Sequence, residues 1–378
     1  MLRKTFWDTP KTGTNMFNAR VLQEDIRAAK KYKIAFIRLA FDKFPTKRRD
    51  FLIGNTDRYE GLDPDDLLTV KKVLDTCSAE NMPVVITLLS LPGSRWSQHN
   101  GNEDDLSIWN DVNFQQQAAK FWKDLASELN NYPIIVGYNI LNEPHPERIF
   151  DRQSIYIENV KQKEVQHMLS NFYNLVIQAI RQVDGDIPII VDSFAYADPN
   201  TFKYLNPIND ENILYSFHMY EPYEYTNHQH NHGQYTYPGK IEDQYWDKKT
   251  LTEYVESVNE FQKCNKIPSN RILVGEFGCY RKQKGLSKYF SDLISIFNEK
   301  GWHWAFYAFR EDSWDGMDYE LGDKQLPWSY WESVEKGKTP VLDRKGTHPQ
   351  FSVLKKALAA PKGKIAQSLK KSGKRKTL

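Results

Sequence analysis

The feature that most limits the possible folds of this chain is an alternation of short apolar runs with amphipathic segments. The seven clearest runs are nearly continuous in apolar residues, as expected for parallel strands that are buried on both faces. A weaker strand just before residues 12–17 would make eight. The seven runs cover residues 34–41, 83–91, 134–141, 187–195, 213–220, 271–278 and 302–309.

Helical signals lie between the runs. Asp63 is a suitable N-cap with Pro64 at the first helical position, and Gly301 is suited to the end of a helix. Residues 165–180 repeat apolar side chains with a helical period, and residues 348–360 are typical of a last helix. Eight strand–helix units favour a single-domain (β/α)8 TIM barrel over a doubly wound sheet. No GxGxxG or Walker motif follows any run, which removes the main support for a nucleotide-binding sheet.

Charge divides the chain into a body, residues 1–360, and a short tail, residues 361–378. The tail holds seven Lys or Arg and no acid, so the net charge of +2 for the whole chain corresponds to −5 for the body. An acidic body argues against nucleic acid as the main partner. We expect the tail to be a disordered, solvated terminus, and a targeting signal or a segment that binds an anionic surface is the alternative.

The cysteines and the N-terminus bear on the compartment. Cys77, Cys264 and Cys279 are widely spaced and form no C-x-x-C motif, which indicates neither a disulfide framework nor a zinc site and fits a reduced compartment. The first residues lack the apolar region of a signal peptide, and no apolar run is long enough to predict a transmembrane segment. The localisation is left open between the cytoplasm and export by a route that the sequence does not reveal.

Two glutamates follow two of the apolar runs at matching positions. Glu143 lies two residues after the third run, which is the fourth predicted strand, in the segment GYNILNEPHP, and Glu276 lies near the end of the sixth run, the seventh predicted strand, in GEFG. The fourth and seventh strands of an eight-stranded barrel lie across its mouth, so the two carboxylates are expected to face one another. Such a pair suits glycoside hydrolysis, in which one acid protonates the leaving oxygen and the other attacks the anomeric carbon or activates water. One such glutamate would be read as an isolated polar residue or a helix cap, but two favour the catalytic interpretation.

Polar residues in other runs fit a site around Glu276. Arg38 interrupts the first run, and a buried cation needs a partner, for which Glu276 is the candidate. His218 and Tyr220 are two residues apart on a strand and point to the same side, where they could hold a carboxylate ionised. Arg38 would lower the pKa of Glu276, and a neighbouring carboxylate would raise the pKa of Glu143 toward that of a general acid. Considered one at a time, each residue has a structural interpretation that is at least as good as the functional one. Arg38 could pair with a residue on a helix, and His218 could be a hydrogen-bonded histidine of the core.

In this order and spacing the motifs resemble glycoside hydrolase family 5, the cellulase-containing family of retaining (β/α)8 glycosidases. The resemblance spans most of residues 12–358. It implies an oligo- or polysaccharide substrate, no cofactor and no metal ion. The matching segments are Arg38 in the second strand, NEP at 142–144, HMY at 218–220, GEFG at 275–278 and an aromatic eighth strand.

For the two glutamates the resemblance implies a double displacement. Glu276 would attack the anomeric carbon to form a glycosyl-enzyme while Glu143 protonates the departing oxygen, and Glu143 would then take a proton from the attacking water. Retention of configuration requires the two carboxyl groups to lie about 5–5.5 Å apart.

The resemblance also implies roles for the remaining matched residues. Asn142 would hydrogen bond the 2-hydroxyl of the sugar. Arg38 and Tyr220 would position the nucleophile, and His218 would line the −1 subsite.

Two positions depart from the family pattern. Leu89 stands where the family usually has a histidine at the end of the third strand, so His99 or another loop residue would have to supply that contact. The family also has a tryptophan on the eighth strand. Matching the pattern puts Tyr307 there, whereas Trp304 has the other parity and would serve only with a bulge.

One loop has a pattern that also suggests a metal site. Residues 221–246 follow the sixth strand and include His228, His230 and His232, which share one face in an extended chain. The loop has no nearby acid pattern or cysteine, so we assign no metal to it.

The sequence therefore predicts a monomeric retaining β-glycosidase that acts on a β-glucan, a mannan or a related saccharide. It neither identifies the glycan nor distinguishes endo from exo action. The changes at Leu89 and Tyr307 motivate an alternative, a carbohydrate-binding barrel with weak or no turnover. A third interpretation is a protein-interaction role carried by the tail.

Overall fold

The computed structural model describes residues 2–150, 159–227, 233–312, 314–338 and 340–360. Among these residues the strands are β1 (Thr12–Met16), β2 (Ile37–Ala40), β3 (Val84–Thr87), β4 (Ile135–Asn139), β5 (Ile189–Asp192), β6 (Ile213–Met219), β7 (Gly239–Ile241), β8 (Gln244–Trp246), β9 (Ile272–Phe277) and β10 (His303–Phe306). Eight of them close into a parallel barrel in the order β1-β10-β9-β6-β5-β4-β3-β2. The (β/α)8 prediction is therefore confirmed. β7 and β8 form a separate antiparallel hairpin.

Helices surround the barrel. In the same part of the chain they are α1 (Leu2–Thr5), α2 (Gln23–Lys31), α3 (Pro64–Ala79), α4 (Ser107–Asn110), α5 (Val112–Leu129), α6 (Asn159–Arg181), α7 (Tyr223–Thr226), α8 (Lys248–Tyr254), α9 (Glu256–Asn265), α10 (Leu286–Lys300), α11 (Trp328–Glu335) and α12 (Pro349–Ala359). Short 3-10 helices occupy Phe6–Asp8, Ser97–His99, Pro146–Ile149, Pro199–Tyr204, Ser269–Arg271 and Tyr319–Leu321.

Helix ends follow the capping signals in the sequence. The Asp63 side chain accepts hydrogen bonds from the backbone N–H groups of Asp65 and Asp66, which would otherwise have no partner at the start of α3. Gly301 ends α10 in the left-handed conformation, with φ of 74°. Both predicted boundaries are confirmed.

The strands are shorter than the predicted apolar runs, and two boundaries bear on the site. β1 lies on the segment TGTNM itself rather than before it. Gly13 adds no side chain to this strand, because a Cβ there would lie only 2.6 Å from the ring of Phe36. β4 ends at Asn139, so that residues 140–142 already belong to the loop that leads to Glu143.

The inside of the barrel has an apolar lower layer and a polar upper layer. The lower layer is closed by Trp7, whose indole N–H donates to the backbone oxygen of Val136 at 2.7 Å. Two residues further along three of the strands, the inward positions become polar. The lower layer consists of Phe36, Val85, Val136, Ile190, Leu214, Leu273 and Ala305, and the polar residues above it include Arg38, Asp192 and Ser216. The strands thus deliver buried polar groups to the C-terminal mouth, where TIM barrels build their sites.

Two sequence predictions fall outside the described residues. These are the tail 361–378 and the three histidines His228, His230 and His232. In the part of the chain that the structure covers, no helix has both the length and the apolar character needed to cross a membrane.

Candidate active site

The guanidinium group of Arg38 lies at the centre of the candidate site and is completely buried. Its Nη1 donates to Asn15 Oδ1 at 2.6 Å and to Glu276 Oε1 at 3.0 Å. Its Nη2 donates to Asn139 Oδ1 at 2.6 Å and to Asn142 Oδ1 at 2.9 Å. A buried cation needs such compensation. Arg38 thereby links β1, β9 and the end of β4, the elements on which the two glutamates depend.

An irregularity in β9 directs Glu276 into the barrel mouth. The register between β6 and β9 shifts just before the pair His218 and Glu276, leaving Gly275 as the extra residue. A Cβ at Gly275 would lie 2.6 Å from Ser216 Oγ and 2.9 Å from His218 Nε2, so glycine is required for this close approach. The Tyr220 hydroxyl donates to Glu276 Oε2 at 2.7 Å. Together with Arg38, it gives each carboxylate oxygen a donor.

Glu143 stands just beyond β4 with a positive φ of 52°. A non-glycine residue in this region is strained, and such residues cluster at functional sites. Its backbone N–H donates to Asp192 Oδ2 at 3.2 Å, and His218 Nδ1 lies 2.7 Å from its Oε1. The Glu143 side chain keeps about 30% of its surface exposed, so it faces the cleft.

Burial and neighbouring charges shift the pKa values of Glu143 and His218. Glu143 lies deep at the mouth although one face is open, and burial raises the pKa of its carboxyl. His218 opposes this rise, and the charges of Glu276 and Asp192 add to it. A raised pKa is what a general acid needs, but its main cause is burial rather than the second carboxylate. Burial alone would lower the pKa of His218, yet the carboxylates of Glu276, Asp192 and Glu143 raise it above its ordinary value.

The two glutamates are close together. One carboxylate oxygen of Glu143, one of Glu276 and a ring nitrogen of His218 all lie within 4.8 Å of one another. This separation agrees with the roughly 5–5.5 Å of retaining glycosidases and is below the roughly 6.5–9.5 Å of inverting ones. A separation this short favours direct attack by a carboxylate over attack by an interposed water molecule.

The same three side chains have the spacing of a metal site, but their partners do not fit one. The oxygens of Glu276 already accept hydrogen bonds from Arg38 and Tyr220, and the Glu143 carboxylate is bonded to His218. A cation would have to compete with the adjacent buried guanidinium. These contacts favour acid–base and nucleophilic chemistry over metal binding at these residues.

Of the two aromatic candidates near the eighth barrel strand, β10, one reaches the mouth. Tyr307 packs against Phe17 with ring centroids 5.7 Å apart, and its hydroxyl donates to Glu311 at 3.2 Å. Trp304 is completely buried on the outside of the barrel, where its indole N–H donates to Asn298 of α10. The suggestion that Trp304 contacts substrate is wrong, because β10 has no bulge that would turn this residue inward.

Leu89 forms part of an apolar wall where the family has a histidine. It packs with Phe17 and Ala40, and partly buried Trp96 and Tyr307 extend this wall. The contacts of Leu89 in the structure are thus apolar.

His99, which we suggested as a substitute for the missing histidine, is exposed on its short helix. Its ring contacts the ring of Trp96, with centroids 5.1 Å apart. Burial raises the pKa of the Asp42 carboxyl, and His99 lies near enough to oppose this rise. His99 therefore belongs to the loop after β3 at the rim of the site, and a substrate contact for it stays a prediction.

A pocket opens beside Glu143, between the loops that follow β3, β4 and β5. On one side the rings of His145 and Tyr196 stack almost parallel, with centroids 4.7 Å and planes 16° apart. The guanidinium of Arg148 lies 5.8 Å from the centre of the Tyr196 ring. Trp96 lines the pocket from the loop after β3. Flat aromatic surfaces of this kind suit the apolar faces of sugar rings.

Three buried residues in the site were missed by sequence reasoning. Asn15, Asn139 and Asp192 are completely buried, and each contacts Arg38 or Glu143. Each is a polar residue near the C-terminal end of a barrel strand. The argument that singled out Arg38, a polar residue in an apolar run that needs a partner, applies equally to Asn139 and Asp192.

Comparison with known proteins agrees with this geometry. The family model described as "Cellulase (glycosyl hydrolase family 5)" matches residues 4–313. Endoglucanase C of Acetivibrio thermocellus is 22% identical over 335 residues, which cover 81% of this chain and 87% of that protein. An endoglucanase structure from Thermotoga maritima superposes with a TM-score of 0.62 at 20% identity, covering 83% of this chain and 92% of that one.

A further Thermotoga maritima structure, in complex with mannotriose, has a TM-score of 0.62 at 19% identity and covers 83% of this chain and 94% of that one. These structural likenesses show the common barrel. The family model spans most of the chain, and the barrel mouth holds a close pair of glutamates. This chain therefore belongs to the cellulase family, glycosyl hydrolase family 5, and is a glycoside hydrolase of the retaining type.

Proposed function

We propose that this hydrolase cleaves a β-glucan, with Glu276 as the nucleophile and Glu143 as the acid/base. The observation that carries the proposal is the pair of carboxylates within 4.8 Å of each other in different surroundings. Glu276 accepts from a guanidinium and a phenol, which favour its charged form. Glu143 has a raised pKa, which favours its protonated form.

In the first step Glu276 attacks the anomeric carbon, and the bond to the leaving oxygen breaks as Glu143 donates its proton to that oxygen. The product is a glycosyl ester of Glu276 and a free sugar hydroxyl. Asn142 accepts from Arg38 through Oδ1, which leaves its Nδ2 group to donate to the sugar 2-hydroxyl. Hydrogen bonds at the 2-hydroxyl strengthen in the transition state.

In the second step water replaces Glu276 at the anomeric carbon. Glu143, now ionised, takes a proton from the water, and Glu276 leaves as a carboxylate. His218, bonded to Glu143 Oε1, supports the ionised form that exists between the two steps. Two inversions at one carbon give net retention.

The names of the relatives support a glucan substrate. Endoglucanase C and the Thermotoga maritima endoglucanase are both named for this activity, whereas one Thermotoga maritima structure contains mannotriose. The proposed leaving-group site is the aromatic pocket beside Glu143. We further propose that the active unit is a monomer formed by residues 1–360, with residues 361–378 as an appendage.

The test is release of reducing sugar from β-glucans, mannans, xylans and short oligosaccharides. We expect turnover of β-glucan, and a fall of about 10³-fold or more in kcat for Glu276→Gln and for Glu143→Gln. On an aryl glycoside, whose leaving group needs no proton, Glu143→Gln should recover much of the first step and Glu276→Gln none. A chain that ends at Ala360 should match the full chain.

The control is Glu320→Gln, which removes the charge of another buried glutamate that is paired with Arg310. It should retain turnover. Full activity of Glu276→Gln would contradict the proposal. Binding of glucan without any product from folded protein would support instead a binding barrel, for which the apolar wall at Leu89 is the structural reason.

A further inference from the structure

Asp192 is a buried carboxylate in the site that the mechanism above does not use. It ends β5, and its side chain is completely inaccessible to solvent. Its Oδ2 accepts from the backbone N–H of Glu143 at 3.2 Å, and its Oδ1 accepts from Asn139 Nδ2 at 3.3 Å. The hydroxyl of Tyr173 in α6 fixes the Asp192 backbone oxygen at 2.7 Å. The carboxylate is therefore held from several sides.

The cationic group that faces Asp192 is the imidazole of His218. Nε2 lies 3.6 Å from Asp192 Oδ2, while Nδ1 lies 2.7 Å from Glu143 Oε1 and 3.9 Å from Glu276 Oε2. Nε2 has no hydrogen-bond partner among the described residues. The His218 ring thus lies between the carboxyl group of Glu143 and the carboxylate of Asp192.

Charge balance explains why this position of the ring matters. Arg38 neutralises Glu276 through a 3.0 Å contact, and Tyr220 adds a neutral hydrogen bond to the same carboxylate. The buried charge of Asp192 would remain uncompensated if His218 were neutral, which is costly inside a protein. An imidazolium at His218 balances it, so that Glu143 can carry its proton without net charge in the site.

We propose that Asp192 is a positioning residue for the hydrolytic reaction: its carboxylate fixes the backbone of Glu143 and holds His218 as an imidazolium. The proposal rests on the proposed role of Glu143 as the acid. Glu143 and His218 titrate as a coupled pair, and a fixed negative charge beside them makes both protons harder to remove. Asp192 thus extends the range of pH over which the acid remains protonated.

The test is the pH profile of kcat/KM for Asp192→Asn. Asparagine keeps the size and one acceptor but removes the charge. We expect the basic limb of the profile to move to lower pH by about one unit, with a much smaller shift of the acidic limb, because the removed charge faces His218 and Glu143. Asp192→Glu, which restores a carboxylate, should move the basic limb back while kcat stays reduced.

Asp184→Asn is the matched control, because Asp184 is another buried aspartate but is paired with Arg3. It should change stability without moving either limb. If Asp192→Asn loses activity equally at every pH and its basic limb does not move, Asp192 has only a structural role and the proposal is overturned. The activity of Glu143→Gln on an aryl glycoside separates the two proposals, since recovery of the first step on that substrate tests Glu143 as the acid without depending on Asp192.

A measurement on the unchanged protein covers the case in which Asp192→Asn fails to fold. Imidazole ¹⁵N shifts of histidine-labelled protein, with His218→Gln to assign the signal, report the charge of the ring directly. We expect both nitrogens of His218 to be protonated throughout the active pH range. A neutral ring with a bare Nε2 in that range would overturn the proposal.

Discussion

Glu143 and Glu276 bring the same side chain into two different surroundings, and in the proposed mechanism this difference gives them different roles. Glu276 lies under a guanidinium and a phenol, whereas Glu143 meets an imidazole and keeps one face open to the cleft. The two carboxyl groups, 4.8 Å apart or less, therefore differ in their hydrogen-bond partners and in their exposure. Pairs of groups whose environments separate their proton affinities are the usual mark of acid–base catalysis.

Glu147 offers a test of buried charge that is independent of catalysis. Its side chain is inaccessible, its Oε2 accepts from the Ala195 backbone N–H at 3.2 Å, and burial raises its pKa to about 7. A raised pKa in the folded state means that the contribution to stability is complete below the unfolded value, near pH 4.5, and is lost as pH rises through about 7. The difference amounts to about 3 kcal/mol.

Glu147→Gln mimics the protonated form at every pH. We expect its free energy of unfolding, relative to the unchanged protein, to be higher at pH 8 than at pH 4.5 by up to about 3 kcal/mol. Urea unfolding at the two pH values measures this difference. Exposed Glu103→Gln is the control and should show none. Equal effects of Glu147→Gln at both pH values would mean that this carboxyl is not held neutral.

The sequence predicted individual site residues where a motif or a charge stood out. Glu143, Glu276, Arg38, His218 and Tyr220 all meet at the barrel mouth. Asn15 was missed because a neutral amide near a strand end has many ordinary structural uses, and only its contact to Arg38, on another strand, distinguishes it. Asp192, a charged residue in an apolar run, was missed because the argument made for Arg38 was not extended to it.

At the scale of elements, two irregularities set the site. One is the bulge at Gly275, which turns Glu276 inward. The other is the turn after β5, where Ala195, Tyr196 and Ala197 all have positive φ values of 52°, 59° and 63°. Three consecutive non-glycine residues in this conformation are strained. The Glu147 side chain stabilises the turn by accepting a hydrogen bond from the Ala195 backbone N–H. The turn presents Tyr196 to the pocket beside Glu143.

Regular elements could be predicted from periodicity, whereas these irregular ones could not. The strands and α3 follow from apolar pattern and capping. A left-handed turn made of Ala-Tyr-Ala has no local signal, because its residues prefer other conformations. The orientation of Trp304 was left open for a related reason: parity along a strand predicts a face only if no bulge intervenes, and bulges depend on the neighbouring strand.

Tyr196→Ala tests whether the turn contributes to binding of the leaving group. Loss of the aromatic plane should raise KM about tenfold for oligosaccharides, which place a sugar in this pocket. Turnover of a glycosyl fluoride, whose leaving group makes no such contact, should change little. Tyr245→Ala, an exposed tyrosine on the β7–β8 hairpin, is the control. Equal losses on both substrates would instead indicate damage to the catalytic residues.

At the scale of the whole molecule, the residues that stabilise the barrel and the residues of the site lie in different layers. The apolar lower layer and the helices hold the strands, and the polar upper layer converges on Arg38. Eight strand–helix repeats made this architecture predictable from the sequence alone. Substrate choice depends on the loops above the strands, whose conformations do not follow from local pattern, and this is why the glycan could not be predicted.

The central claim is that Glu276 forms a covalent bond to the sugar. A 2-deoxy-2-fluoro glycoside with a good leaving group forms that bond faster than water breaks it, so the intermediate accumulates. Mass spectrometry of proteolytic peptides should find one sugar on the peptide that contains Glu276, and none in Glu276→Gln. A label on Glu143, or no label together with an initial product of inverted anomeric configuration, would contradict the account.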